Sequence, residues 1–191
     1  MNVYELDSLS LHYIRRPVDD DGRKELSQYF LVAYNEIYRR IMSKAFALTK
    51  VDNVTLDSRK CFSADSLSSP LISIKYILSE YSSKLLWEKC EDNKIKVRTH
   101  SRYADVYYRY MPPLLENENP TVERSDTDET YVPLIPEEYH NIFSLWAAYR
   151  YLHAKRQFED ANYYYEMSME LMSQLSTEYS ESTHLNINFL D

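Results

Sequence analysis

A single glycine, Gly22, serves a chain of 191 residues. A phosphate-cradling P-loop needs two glycines and a dinucleotide fingerprint needs three, so neither is present. The Gly-x-Ser-x-Gly nucleophile elbow is excluded on the same ground. Cysteine is scarce as well. Cys61 and Cys90 lie 29 positions apart and form no Cys-x-x-Cys pair, which leaves no zinc clip. Two buried, reduced thiols are the expected state. A structural disulfide would need an oxidising compartment that nothing else in the chain implies. No apolar run approaches the roughly 18 residues of a membrane helix, and the mean hydropathy is negative. The opening residues, Met1-Asn2-Val3-Tyr4-Glu5, bring an acid early and no apolar signal core, as expected of a protein made and kept in a cytoplasm. Positive charge is also short, with 22 Lys and Arg against 30 Asp and Glu and a net charge of −8. Such a chain does not grip nucleic acid over a broad surface. Arg15-Arg16 and Arg39-Arg40 read as solvated faces or protein contacts.

Tyrosine is abundant, at 19 residues. It combines a large apolar body with a polar tip and few rotamers to lose, which suits interfaces as well as wet cores. The length suits one domain carrying an insertion and is enough to bury a core without disulfides or metals.

The pattern along the chain gives an α+β protein, mainly helical. An antiparallel helix core holds an inserted small antiparallel β-sheet, and an extended tail ends the chain. Residues 1–18 read as an arm, with Leu9, Leu11 and Tyr13 alternating against Ser10 and His12 as a weak strand. Residues 19–50 are helical. Asp19-Asp20-Asp21 supply a cap and a favourable charge for the dipole. Leu26, Phe30, Ala33, Ile37 and Ile41 then recur at helical spacing from about Arg23 to Lys44. Over 51–111 the period changes to two. Ile72, Ile74, Tyr76 and Leu78 form one inward set. Ile95, Val97 and Thr99 form a second, and Val106, Tyr108 and Tyr110 a third. Glu91-Asp92-Asn93 is a hairpin turn. Residues 112–135 form an acidic loop broken by Pro112, Pro113, Pro120 and Pro133. Its acids Glu116, Glu118, Glu123, Asp126, Asp128 and Glu129 face only Arg124. Residues 136–175 are a helix pair. The first helix opens at Pro136 and carries Tyr139, Ile142, Phe143, Trp146 and Tyr149. The second runs from about Glu159 to Leu175. In the tail, 176–191, Leu185, Ile187 and Phe189 alternate with Asn186 and Asn188, followed by Leu190. These four apolar residues are the expected partner-binding set, docking as an added strand on a neighbouring subunit.

Two Glu-x-x-His sequences, Glu137/His140 and Glu181/His184, are the sharpest catalytic candidates. A di-iron carboxylate site uses two such motifs with two further glutamates in a helix bundle, and Glu36 with Glu166 or Glu170 would be the remaining ligands. The context opposes it. Glu137 falls in a first helical turn, where the dipole alone explains an acid, and Glu181 and His184 fall in a Ser/Thr-rich tail. The acidic loop lacks the ordered calcium-loop spacing. Trp146 with its tyrosines reads as core before it reads as a ligand cage. No catalytic residue, metal ligand or cofactor is therefore expected.

Residues 106–175 resemble the head–tail connector proteins of tailed bacteriophages, the adaptor rings below the portal. Val106-Tyr107-Tyr108-Arg109-Tyr110-Met111-Pro112-Pro113 looks like the family's last strand running into a proline-marked loop. Leu134-Ile135-Pro136-Glu137-Glu138-Tyr139 looks like its Pro-Glu helix start, and Leu145-Trp146-Ala147-Ala148-Tyr149 like its alanine-rich aromatic middle. After the basic turn Lys155-Arg156-Gln157, a return helix opens at Glu159-Asp160-Ala161-Asn162-Tyr163-Tyr164-Tyr165. Tyr29–Ile41 would be the opening helix. The resemblance covers most of the chain in order of elements. The arm and the long acidic loop have no counterpart in it. It implies a structural virion protein, assembled in the host cytoplasm as a homo-oligomeric ring, usually of twelve copies. Its partners would be the portal protein and a tail or further connector protein. Genomic DNA would pass through without specific binding, and no membrane is involved. The alternatives are a small helical regulatory or host-interaction protein that binds one partner and, further off, a metal-dependent carboxylate enzyme.

Overall fold

The computed structural model describes residues 1–17, 19–46, 48–116 and 132–185, with side chains as far as residue 179. The chain divides into two compact units. One comprises residues 1–46 with 113–191, the other residues 47–112.

The first unit is helical: α1 (Val3–Tyr13), α2 (Asp20–Arg40), α3 (Asn141–Ala154) and α4 (Phe158–Leu185). The expected N-terminal strand is a helix instead. Asn2 accepts from the Glu5 amide at 2.9 Å, and the Glu5 carboxylate accepts from the Asn2 amide at 2.8 Å. That reciprocal box starts a helix. Val3, Leu6, Ser10, Leu11 and Ile14 then fall on one buried face at helical spacing, and this outweighs the short alternation around Leu9–Tyr13. In α2, Asp19 caps the Gly22 amide at 2.7 Å. A Cβ on Gly22 would come within 2.9 Å of the capping oxygen, so the one glycine stands where a side chain has no room. α2 ends in a π-helical turn, Ile41–Ala45.

α3 is the central helix. Ile142 through Ala148 are all buried, and α1, α2 and α4 pack on it. Phe143 lies edge-on to Tyr34 and Tyr38 of α2, at 6.4 and 5.7 Å. Between α1 and α2 runs a buried polar line. Tyr34 donates to Asp7 at 2.9 Å and lies 2.8 Å from the Ser10 hydroxyl. Burial first, and then the Asp7 charge, pushes the Tyr34 phenol well above its usual range. Before α3, the expected helix start at Pro136 is a 3₁₀ turn, Glu137–Tyr139.

α1 and α3 stop in the same way. Arg15 and Arg156 take positive φ, 57° and 62°. In each case the next two amides reach back to the last turn: Arg15 to His12 and Arg16 to Leu11, then Arg156 to His153 and Gln157 to Leu152. This is the bonding of a Schellman stop, with arginine in the place usually held by glycine.

α4 buries a narrow seam of Ala161, Ser168 and Leu175. These residues are seven apart, the first two are small, and α4 packs against α3. The tail expected to be extended from residue 176 is helical through Leu185. No Pro or Gly interrupts it. Tyr179 stacks edge-on to Phe46 at 5.0 Å, and Tyr139 donates to Glu178, which pushes the Tyr139 phenol up to about 12. These contacts hold the extra turns.

The second unit has two antiparallel sheets. One has strand order β1 (Thr49–Thr55), β7 (Tyr103–Tyr110), β3 (Leu71–Leu78), β4 (Lys84–Leu85). The other has order β2 (Cys61–Ser63), β6 (Lys94–Val97), β5 (Trp87–Lys89). One core, including Val54, Phe62, Ile77, Ile95, Val97, Val106 and Tyr108, draws on both. Asp92 and Asn93, with φ of 55° and 57°, form the predicted hairpin turn between β5 and β6, as a type I′ turn requires. β3 departs from the simple alternation. Its register against β7 shifts between Leu71 and Ser73 and again between Ile74 and Tyr76. Each bulge moves the inward set by one residue. Leu71, Ile74 and Ile77 therefore meet the core, and Tyr76 stacks on Tyr107 at 4.4 Å. Asp52 ties the loop after β2 to the sheet, accepting from Ser68 and from the Tyr108 hydroxyl at 2.7 Å.

Candidate protein-docking site

Trp146 is the root of the site. It is 2% exposed, and its indole N–H has no acceptor among the described residues. The Arg40 guanidinium of α2 lies over its ring, 4.7 Å from the centroid. The helical step carries the aromatic row from Trp146 to Tyr149 (5.0 Å) and then to His153 (5.8 Å) on the same side of α3. His153 packs against Phe158 at 5.2 Å where α4 begins. Tyr165 of α4 closes the cluster, 5.1 Å from Tyr149 and 6.1 Å from Trp146. Exposure rises along the row, with Tyr165 at 39% and Phe158 at 52%. Glu36 lies beside it, bridging Arg40 at 3.7 Å and Arg150 at 3.3 Å. The cluster is rigid at its buried end and wet at its outer end. It offers a partner large aromatic surface with little side-chain entropy to lose.

The sequence placed Trp146 in the core, where it is, and left Tyr149 and Tyr165 open between core and interface. From the sequence His153 reads only as a basic residue near the C-terminal end of its helix, and Phe158 only as part of the short connection to the next; neither is expected in an aromatic row. The signal for His153 was its spacing, seven after Trp146 and four after Tyr149. Of the four residues assigned to partner binding, Leu185 is the last helical residue of α4, not part of an extended strand. Ile187, Phe189 and Leu190 lie outside the described residues, as do residues 117–131 of the acidic loop.

Glu137 and His140 are brought together, but around the Met1 amino group. That nitrogen lies 3.2 Å from Glu137 Oε1 and 2.8 Å from His140 Nδ1. His140 Nε2 sits 2.9 Å from the Ile135 carbonyl. A carbonyl only accepts, so Nε2 carries the proton and Nδ1 faces the amino group as acceptor. Burial lowers the His140 pKa, the Ile135 bond opposes that, and the nearby amino charge lowers it further. The side chains of Glu181 and His184 lie outside the described residues. Among the described residues no group of three or more His, Cys, Asp or Glu is placed to hold a metal, and no helix is long and apolar enough to cross a membrane.

The depressed His140 pKa has a consequence for stability. The unfolded chain takes up this proton at about 6.5, before the folded chain does. The stability linked to His140 is therefore full above that pH and is lost as pH falls from about 6.5 through the lower folded value. The melting temperature should drop between pH 7.5 and 5.5, and the drop should be smaller in His140→Gln. Equal drops in both proteins would show that His140 is not the sensor.

No family model matches the chain, and no curated protein matches it either.

Proposed function

We propose that this chain is an assembly protein, a subunit of a connector ring of the tailed-bacteriophage kind that joins a portal to tail components. The observation that carries the reading is the aromatic row from buried Trp146 to exposed Phe158, a surface suited to a protein partner. The order of elements supports it: a helix, a β-rich insertion, a Pro-Glu turn, an alanine-rich aromatic helix, a basic stop and a return helix. This is the order on which the resemblance to connectors rests. The helical unit's excess of acids suits a wall past which DNA slides without being held.

The test is mass and shape. Purified protein, alone and mixed with its cognate portal, should give closed rings in electron micrographs, and Tyr149→Ser/Phe158→Ser should reduce their yield while leaving the helical circular dichroism unchanged. A protein that stays monomeric alone and with the portal, or that forms a one-to-one complex with some other protein, would move the reading to the regulatory alternative.

A further inference from the structure

Charge is divided between the two units. Residues 47–112 carry 11 Lys and Arg against 8 Asp and Glu, whereas the rest of the chain carries 11 against 22. The net charge of −8 conceals a basic β-rich unit and a strongly acidic helical one.

The basic excess is concentrated on β6 and the residue after it. Ile95 and Val97 enter the core. Lys94, Lys96 and Arg98, on the alternate positions, stand in a row on the opposite face, and all three are exposed. The strand rise spaces them about 7 Å apart. The register sets Ser63 beside Lys94, and Cys61 and Glu88 beside Lys96. Glu88 meets Lys96 at 3.4 Å. Among the described residues Lys94 and Arg98 make no ion pair, though Asp57 feels the Lys94 charge. Arg98 donates its backbone N–H to Leu86, which brings a 70% exposed leucine to the end of the row.

α4 has the opposite character. From Phe158 to Leu185 there are six Asp and Glu and no Lys or Arg. Opposite the seam of Ala161, Ser168 and Leu175, the outer face presents Glu159, Tyr163, Glu166, Glu170 and Ser173 at steps of three and four, all exposed. Glu166 and Glu170 are one turn apart, about 6 Å along the axis, close to the spacing of the cations on the strand. Tyr163, 59% exposed, supplies apolar surface beside them.

We infer that the Lys94–Lys96–Arg98 face of one copy docks on the acidic outer face of α4 in a second copy. This rests on the assembly reading above and adds which two surfaces meet. The partner is another copy because the same chain carries both halves of a complementary pair. Nucleic acid, the other polyanion that such a row would suit, is opposed by the net charge of −8. Each copy holds one donor and one acceptor face, so the contact is head-to-tail, the type that closes into rings. Charge pairing of this kind sets register and speeds encounter.

The experiment uses two full-length variants, Lys94→Glu/Lys96→Glu/Arg98→Glu and Glu166→Lys/Glu170→Lys. All five positions are exposed, and circular dichroism checks that both variants fold. Sedimentation at low salt reads self-association. Each variant alone should associate at least about tenfold more weakly than the wild type, since like charges now face each other. An equimolar mixture should recover association, with the two variants alternating, because opposite charges face each other at every contact. If either variant associates as well as the wild type, or the mixture fails to recover, the pairing of these faces is wrong and the assembly reading stands. A wild type that is monomeric at every concentration and salt overturns both. A wild type that instead binds a single-stranded oligonucleotide through these three cations, without associating, assigns the face to nucleic acid and overturns the inference.

Discussion

Replacing Trp146 with alanine should unfold the helical unit or bring it close to unfolding. The side chain is buried against Arg40 of α2 and the tyrosines of α3 and α4, so its loss opens a hole at the meeting point of three helices. Truncating a buried Trp or Phe costs roughly 3–5 kcal/mol, against a typical folding free energy of about 5–15 kcal/mol. The helical circular dichroism should melt at a much lower temperature. Trp146→Phe should fall far less, because it keeps most of the ring and removes an indole N–H that has no acceptor among the described residues, a group whose burial costs about 1–3 kcal/mol. An unchanged melt for the alanine variant would mean that Trp146 does not join these helices.

Ser168→Leu should be the second large effect. Ser168 sits fully buried in the seam of α4, and its hydroxyl donates to the Tyr165 carbonyl in its own helix at 2.8 Å. It therefore contributes smallness more than bonding across the seam. A leucine must push α4 away from α3 or take a strained rotamer, which costs about 1–3 kcal/mol. Ser168→Ala should be nearly neutral. Comparing the denaturation midpoints of the two variants checks this. If alanine is as harmful as leucine, the hydroxyl matters and close helix approach does not.

How much of this was legible in the sequence follows from the range of each signal. α2, α3 and the start of α4 carry apolar residues at helical spacing over three or more turns, and they were found. The end of α3 was legible in the basic turn Lys155-Arg156-Gln157, whereas the stop of α1 at Arg15 was not, because an arginine at positive φ does not announce a turn. α1 was missed although its start was written in Asn2 and Glu5. The alternation at Leu9–Tyr13 was short, and the helical set Val3, Leu6, Ser10, Leu11 and Ile14 includes a serine. The phase of β3 was not readable, because bulges depend on how β3 pairs with β7. In the docking site, Trp146 was legible as core, whereas the row through His153 to Phe158 depends on α4 folding back beside α3. The charge split between the units was present in the composition but disappeared in the sum.

The near absence of glycine bears on the denatured chain as much as on the fold. Glycine gives an unfolded backbone its greatest freedom. A chain with one glycine in 191 starts from a stiffer unfolded ensemble and has less backbone disorder to surrender on folding. The counterpart lies in the native turns. Arg15, Lys60, Ser82, Asp92, Asn93 and Arg156 all adopt positive φ. For residues other than Asn and Asp, that conformation costs roughly 1–2 kcal/mol apiece. At Arg15 and Arg156 the side-chain charge offsets part of this, because a cation just beyond a helix C-terminus meets the negative end of the dipole. The molecule thus has less freedom to lose on folding and accepts backbone strain at a few native turns in return.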